Sequence, residues 1–272
     1  MWNKKLLIAC LSMVMLFSSC SKFQNVLKKG SVDEKYNAAI AYYERKDYYR
    51  AGLLFEELIP LIRGQKRSEI ANLYYAYCHF YQRQLQLSAY YFKRFYTQYG
   101  ASKYVEEAMY MYAFSLYKDS PEHYLDQSNT DQAIAASQNF LNRFPQSKYT
   151  EECSRIITEL RRKLEKKAYE GARLYYRIRN YKAAVITFDN FQKDFPDSNF
   201  NEEVAYLKIL AQYEYAEIST SRRQQERYGD VVKFYTDFID AYPESGYKRA
   251  AERLYSSSIK KLEKLKKNLK KS

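Results

Sequence analysis

A nine-residue phrase recurs along this chain and constrains its fold more than any other feature. It reads Tyr99-Gly-Ala-Ser-Lys-Tyr-Val-Glu-Glu107, Phe144-Pro-Gln-Ser-Lys-Tyr-Thr-Glu-Glu152 and Phe195-Pro-Asp-Ser-Asn-Phe-Asn-Glu-Glu203, with a worn copy at Tyr242-Pro-Glu-Ser-Gly-Tyr-Lys-Arg-Ala250. The copies start 45, 51 and 47 residues apart. Self-similarity at this period marks a stacked array of small units, each unable to bury its apolar face alone. Each copy reads as the end of one helix and the start of the next. The aromatic closes a helix, and proline turns the preceding residue away from the α region. The serine reads as an N-cap, and the paired glutamates suit the positive end of the following helix dipole.

Between the copies the apolar spacing predicts helix pairs. Asp47-Tyr-Tyr-Arg-Ala-Gly-Leu-Leu-Phe55 and Asn180-Tyr-Lys-Ala-Ala-Val-Ile-Thr-Phe188 share an aromatic, a small residue three later and an aromatic four after that. This places all three on one face, with the small residue where a partner helix approaches. It is the pattern of the tetratricopeptide repeat. The expected fold is all-α: a superhelical solenoid of about five tetratricopeptide-like helix pairs over residues 31–245, plus a basic C-terminal helix over 246–272. All five prolines are expected between helices. Ser120–Thr130 and Ser221–Arg227 read as polar insertions, with the helix after the second starting near Gly229.

The ends of the chain carry separate signals. Lys4 and Lys5 precede an apolar run, Leu6 to Phe17, too short to span a bilayer. It ends at Ser18-Ser19-Cys20, so residues 1–19 read as a signal peptide, Cys20 as a lipidation site and 20–30 as a tether. The chain has 45 basic and 32 acidic residues, a net charge of +13. Ten of the basic residues fall between Lys248 and Ser272, against Glu252 and Glu263. Such a tail fits either a cap on the last repeat or a surface for anionic lipid or an acidic partner. No nucleic-acid module is visible. Cys78 and Cys153 read as buried thiols in separate repeats.

In stacked helix pairs the first helices line the concave face. Aligning them on Ala39, Ala76, Ala113, Ala172 and Ala211 gives three columns. The first three repeats supply Tyr36, Ile40, Tyr43, Leu73, Tyr77, Phe80, Tyr110, Phe114 and Tyr117. These either pack between repeats or form a groove for an extended, aromatic-bearing peptide. The last two repeats add Arg173, Lys208 and Gln212, and the second insertion adds Arg222, Arg223 and Arg227, polar candidates for holding a folded partner. Catalytic chemistry is not encoded in any recognisable motif. The two histidines, His79 and His123, fall in different repeats, and the paired acids sit where the helix dipole explains them. The reading is a non-enzyme without a cofactor or metal.

Together the cysteine after an apolar leader, the Phe-Pro-x-Ser-x-Tyr copies, the Leu125-Asp-Gln-Ser-Asn-Thr130 insertion and the long helix ending at Arg179 resemble the BamD family, lipoproteins of the outer-membrane β-barrel assembly machinery. The resemblance runs from about Ser31 to Tyr242 and leaves the lysine-rich end uncovered. It implies a scaffold anchored on the periplasmic face of the outer membrane. Such a scaffold docks on the periplasmic domains of a BamA-like barrel subunit and receives unfolded outer-membrane proteins, whose signal strand ends in an aromatic. A tetratricopeptide lipoprotein serving as adaptor for other periplasmic or cell-wall proteins would carry the same fold and location.

Overall fold

The computed structural model describes residues 22–269, with side chains as far as Lys267; Cys20 and the leader lie outside the described residues. Among the described residues every regular element is an α-helix. They are α1 (22–29), α2 (Val32–Glu44), α3 (Tyr48–Leu61), α4 (Lys66–Tyr81), α5 (Leu85–Gln98), α6 (Val105–Asp119), α7 (Ser128–Arg143), α8 (Thr150–Arg177), α9 (Tyr181–Asp194), α10 (Asn201–Glu217), α11 (Ser221–Ala241) and α12 (Lys248–Leu269). The chain divides into two compact units inside α8, at Leu160 and Arg161. None of the described helices is long and apolar enough to cross a membrane. Within each unit, successive helices pack on one another from α2 to α7 and from α9 to α12, as tetratricopeptide-like pairs.

The crossings use the expected residues. Ala51 and Phe55 of α3, and Ala184 and Phe188 of α9, are fully buried. The aromatics that end the repeated phrase are helix C-caps: the N–H groups of Tyr99, Phe144, Phe195 and Tyr242 donate to the carbonyls of Phe95, Phe140, Phe191 and Phe238. Each cap ring leans on that same phenylalanine, with centroids 5.1–5.7 Å apart.

The serine of the phrase does more than the sequence reading assigned to it. Ser102, Ser147, Ser198 and Ser245 each sit three residues before a helix begins, not at its N-cap. Each hydroxyl accepts the N–H of the residue two later, at 3.0 Å. Each also donates to a glutamate in the first helix of the preceding repeat: Glu69, Glu106 (2.5 Å), Glu165 and Glu202 (2.6 Å), respectively. The aromatic two residues after the serine turns onto the same neighbour. Tyr149 stacks on Tyr110 (4.1 Å, 7°), Phe200 on Tyr169 (4.2 Å, 12°) and Tyr247 on Tyr206 (4.8 Å, 10°). Tyr104 packs in the cluster that contains Leu73. Every copy is therefore a clip between consecutive repeats, made of one charge-assisted hydrogen bond and one apolar contact.

The clip is separable by mutation. Ser147→Ala should cost about 1–3 kcal/mol, because it leaves Glu106 without its donor. A double-mutant cycle in urea with Glu106→Ala should give a coupling above about 0.5 kcal/mol. Additive losses would mean that the bond contributes nothing at this junction.

Further expectations change. Residues 22–29, read as tether, form a helix: Phe23 is buried edge-on to Tyr42 (5.5 Å, 90°), and the Arg50 guanidinium lies 5.6 Å from its ring centroid. Gly30 ends that helix where a Cβ would lie 2.4 Å from the Val26 carbonyl oxygen, and Ser31 with Glu34 then forms a capping box for α2. Pro60 lies in the last turn of α3 rather than between helices; the carbonyl it leaves unpaired belongs to exposed Glu56. Residues 221–227 are not a loop but the first turns of α11. Nothing in that stretch breaks a helix, and fully buried Tyr228 fastens it by donating to Glu217. The other insertion is a stapled turn: Thr130 donates to Gln127 (2.7 Å), and the Gln127 amide donates to the carbonyls of Glu122 (2.8 Å) and Leu125 (3.0 Å).

Candidate functional site

The clips fix which positions correspond between repeats. Glu69, Glu106, Glu165 and Glu202 play one role, so Leu73, Tyr110, Tyr169 and Tyr206, four residues on, form the first column. Ala76, Ala113, Ala172 and Ile209, seven residues on, form the crossing. The fifth first-helix is thus keyed on Ile209, two positions before Ala211. Lys208 and Gln212 leave the concave columns, and Tyr206 and Leu210 take their places.

Their surroundings agree with this register. Gln212 is only 4% exposed and donates to the Asp230 carboxylate (2.9 Å) and the Arg227 carbonyl (3.2 Å). Lys208 pairs with Asp189 (2.6 Å) and sits 4.5 Å from the Phe234 ring centroid. Arg227 lies 3.6 Å from the Tyr215 centroid and also donates to Ser219, so it holds α11 on α10. Arg173 is half-buried over Tyr169 at 5.3 Å. Of the six polar candidates, Arg222 and Arg223 are exposed, at the first turn of α11, where Arg223 pairs with Glu226 (3.1 Å).

In the first unit the nine column residues come together, but mostly as mortar. Leu73 is buried, and the other eight are half-buried. Tyr36 lies under the Arg67 guanidinium at 5.6 Å, and Ile40 packs in the same apolar cluster as Tyr43. Tyr43 stacks on Tyr74 (4.2 Å, 8°). Tyr77 donates to Glu107 and meets Phe92 edge-on (4.9 Å, 85°). Phe114 lies between Phe80 (5.8 Å) and Tyr110 (5.5 Å), and Tyr117 donates to both Glu159 oxygens, at 2.9 and 3.0 Å. Burial raises the Tyr77 hydroxyl far above the ordinary phenol range, and its bond to Glu107 adds to this. Burial likewise pushes Tyr110 up to about 12, helped by the charge of Glu152.

These rings form a ladder whose outer edge faces solvent. Its most open rung, Tyr81, lies outside the sequence columns: it is 47% exposed, stacked on Tyr48 (4.3 Å, 20°) and parallel to Tyr77 (5.9 Å, 20°). Exposed Lys118 holds its ammonium 5.0 Å from the centroids of both Phe114 and Tyr117. Beside it, Arg155 forks onto Glu152 (2.7 and 2.9 Å) and reaches Glu159 (2.7 Å). The arrangement offers aromatic edges and one cation that makes no ion pair among the described residues. That combination suits an apolar side chain next to a carboxylate.

The second unit offers a different surface. Leu174 and Tyr175 in the last turn of α8, Ile178 just after it, and Ile186 of α9 are all exposed, Ile178 at 60%. Column alignment passes over them, because they lie off the face that carries Tyr169 and Ala172. The two remaining cysteines, Cys78 and Cys153, are free and fully buried, and burial pushes their thiols up to about 12 and about 11.

Comparison with known proteins agrees with this architecture. The chain is 24% identical over 267 residues to a protein of Aquifex aeolicus (strain VF5) described as a putative outer membrane protein assembly factor BamD, covering 96% of this chain and 87% of the relative. A family model described as YfiO, outer membrane lipoprotein, matches residues 28–204 and again 172–269, the second match beginning inside α8, where the repeats of the second unit start. The matched segments take in nearly every described residue, and the chain belongs to the YfiO family of outer membrane lipoproteins.

Proposed function

We propose that this chain is a non-enzymatic scaffold for outer-membrane protein assembly, anchored through Cys20 on the periplasmic face of that membrane. The first unit receives unfolded β-barrel substrates. The second docks on the periplasmic domains of a barrel-forming, BamA-like subunit. The name of the Aquifex relative supports the process. The observation that carries the substrate role is the ring ladder ending at Tyr81 and Lys118, which matches a strand terminating in an aromatic residue and a free carboxylate. For the partner, the exposed Leu174, Tyr175, Ile178 and Ile186 supply the apolar contact a folded protein buries, and Arg222 and Arg223 supply charge that sets encounter rate and orientation.

Peptide binding separates the parts. Tyr81→Ala and Lys118→Glu should each weaken a peptide with a C-terminal aromatic by about 5–10-fold, the ~1 kcal/mol of one aromatic or cation–π contact. Amidating the peptide should abolish the Lys118 effect. Unchanged affinity in both variants would refute the ladder as the substrate site. Copurification from membranes tests the second unit: Ile178→Asp should release a β-barrel partner while peptide binding persists. Recovery of a cell-wall hydrolase in its place would favour the adaptor reading.

A further inference from the structure

The C-terminal helix α12 has two faces, only one of which the repeats use. On the inner face Ala251 and Ser258 are fully buried, and Leu254 packs in the cluster formed by Val231 and Phe238. Tyr255 stacks on Tyr235 (4.5 Å, 25°), and Ser257 meets the Tyr213 hydroxyl at 2.9 Å. The one cation on this side, Lys261, is paired with Glu217 and lies over Tyr213 and Tyr228. This face is the cap that a repeat array needs at its end.

The outer face is of another kind. Arg249, Arg253, Lys260, Lys264 and Lys267 are all exposed. At ~100° per residue they fall within an arc of about 60°, along roughly 27 Å of helix. Among the described residues none of the five makes an ion pair, although Lys261, next to Lys260, does. No other described side chain falls within the arc; Ser256 and Ser257 flank it on either side, and Glu263 and Glu252 lie beyond Ser256.

We infer that this strip docks on the anionic headgroups of a bilayer. A protein partner would be expected to meet an apolar centre with aromatic anchors inside a polar rim, and the arc has no apolar side chain. A single-stranded nucleic acid would be expected to meet aromatic platforms between the cations, and these are also missing. A straight, convex row of point charges needs no shape complement, which suits a plane of phosphates. A lipoprotein also works within reach of such a plane. The inference adds a second contact with the membrane and is independent of the proposed substrate and partner roles.

The test uses the full chain carrying Cys20→Ser, so that no acyl anchor contributes. Cosedimentation with vesicles of mixed phosphatidylglycerol and phosphatidylcholine should show binding that salt weakens and that pure phosphatidylcholine does not support. Replacing Arg253, Lys260 and Lys264 together by glutamine should lower the apparent affinity about 100-fold, from ~1 kcal/mol per basic residue near the surface. The equally exposed Arg45, Arg63 and Lys66, replaced in the same way, should change it less than about threefold, which separates the strip from net charge. Circular dichroism should report native helix content in both variants. Undiminished binding in the α12 variant, equal loss in the control, or preferential capture by an acidic peptide or a DNA oligonucleotide would each overturn the proposal.

Discussion

Tyr110→Ala is expected to lower the stability of the first unit by about 3–5 kcal/mol, the range for removing a large aromatic from a packed core. Tyr110 sits at the meeting point of three other rings: flat on Tyr149 at 4.1 Å, stacked on Phe114 at 5.5 Å and edge-on to Phe140 at 6.2 Å. Its loss would open both the column and the clip to the next repeat. Urea unfolding followed by circular dichroism is the direct measure. Tyr124→Ala, at a position 70% exposed, should stay within about 0.5 kcal/mol of wild type. If Tyr110→Ala were equally mild and instead abolished peptide binding, the ring would be a groove residue and its stacking incidental.

The second large effect is alkaline. Burial raises the hydroxyls of Tyr43 and Tyr77 far above their usual range, and brings Tyr110, Tyr169 and Tyr228 up to about 12. It also brings Cys78 up to about 12 and Cys153 up to about 11. A group whose pKa is higher in the folded state stabilises fully below its unfolded pKa, and that stability is lost as pH rises through the folded one. The decline should therefore begin near pH 9 with the thiols and steepen above about pH 10 with the phenols. Each group that stays protonated only in the fold removes up to about 1.4 kcal/mol per pH unit. The phenolate absorbance of the buried rings should thus appear only as helix content falls, apart from the contribution of exposed rings such as Tyr81 and Tyr124. Full phenolate absorbance near pH 10 with the helices intact would contradict their burial.

Much of the scaffold was legible because its signals are local. An aromatic before proline closes a helix, and an alanine three residues after an aromatic marks a crossing, wherever the chain goes next. The serine's second partner was not legible, because Glu106 precedes Ser147 by 41 residues and only folding brings them together. The register of α10 failed for a related reason. Ala211 looks like the small crossing residue, yet bulkier Ile209 holds that place, and the Glu202–Ser245 clip decides between them. Residues 22–29 lack any long apolar run, so the anchoring role of Phe23 shows only against Tyr42 and Arg50. The columns found the right helix face in the first unit but could not divide it into rings consumed by stacking and rings left open, so Tyr81 and Lys118 went unnoticed.

The Ser–Glu clips also bear on how such a chain can grow. The paired residues are 33 positions apart in two junctions, and 41 and 43 in the others. The longer spacings coincide with the stapled turn at 120–127, between the two helices of its pair, and with the added turns that open α11, the second helix of its pair. Extra sequence has thus been accepted inside a unit while its mating parts stayed the same. Glu69 and Glu106 lie 37 positions apart, as do Glu165 and Glu202. A duplicated or deleted block of that length would present the same socket and plug to its new neighbours. Copy number can then drift in a lineage without any junction having to be reinvented, leaving selection to act on what the inserted loops and open faces touch.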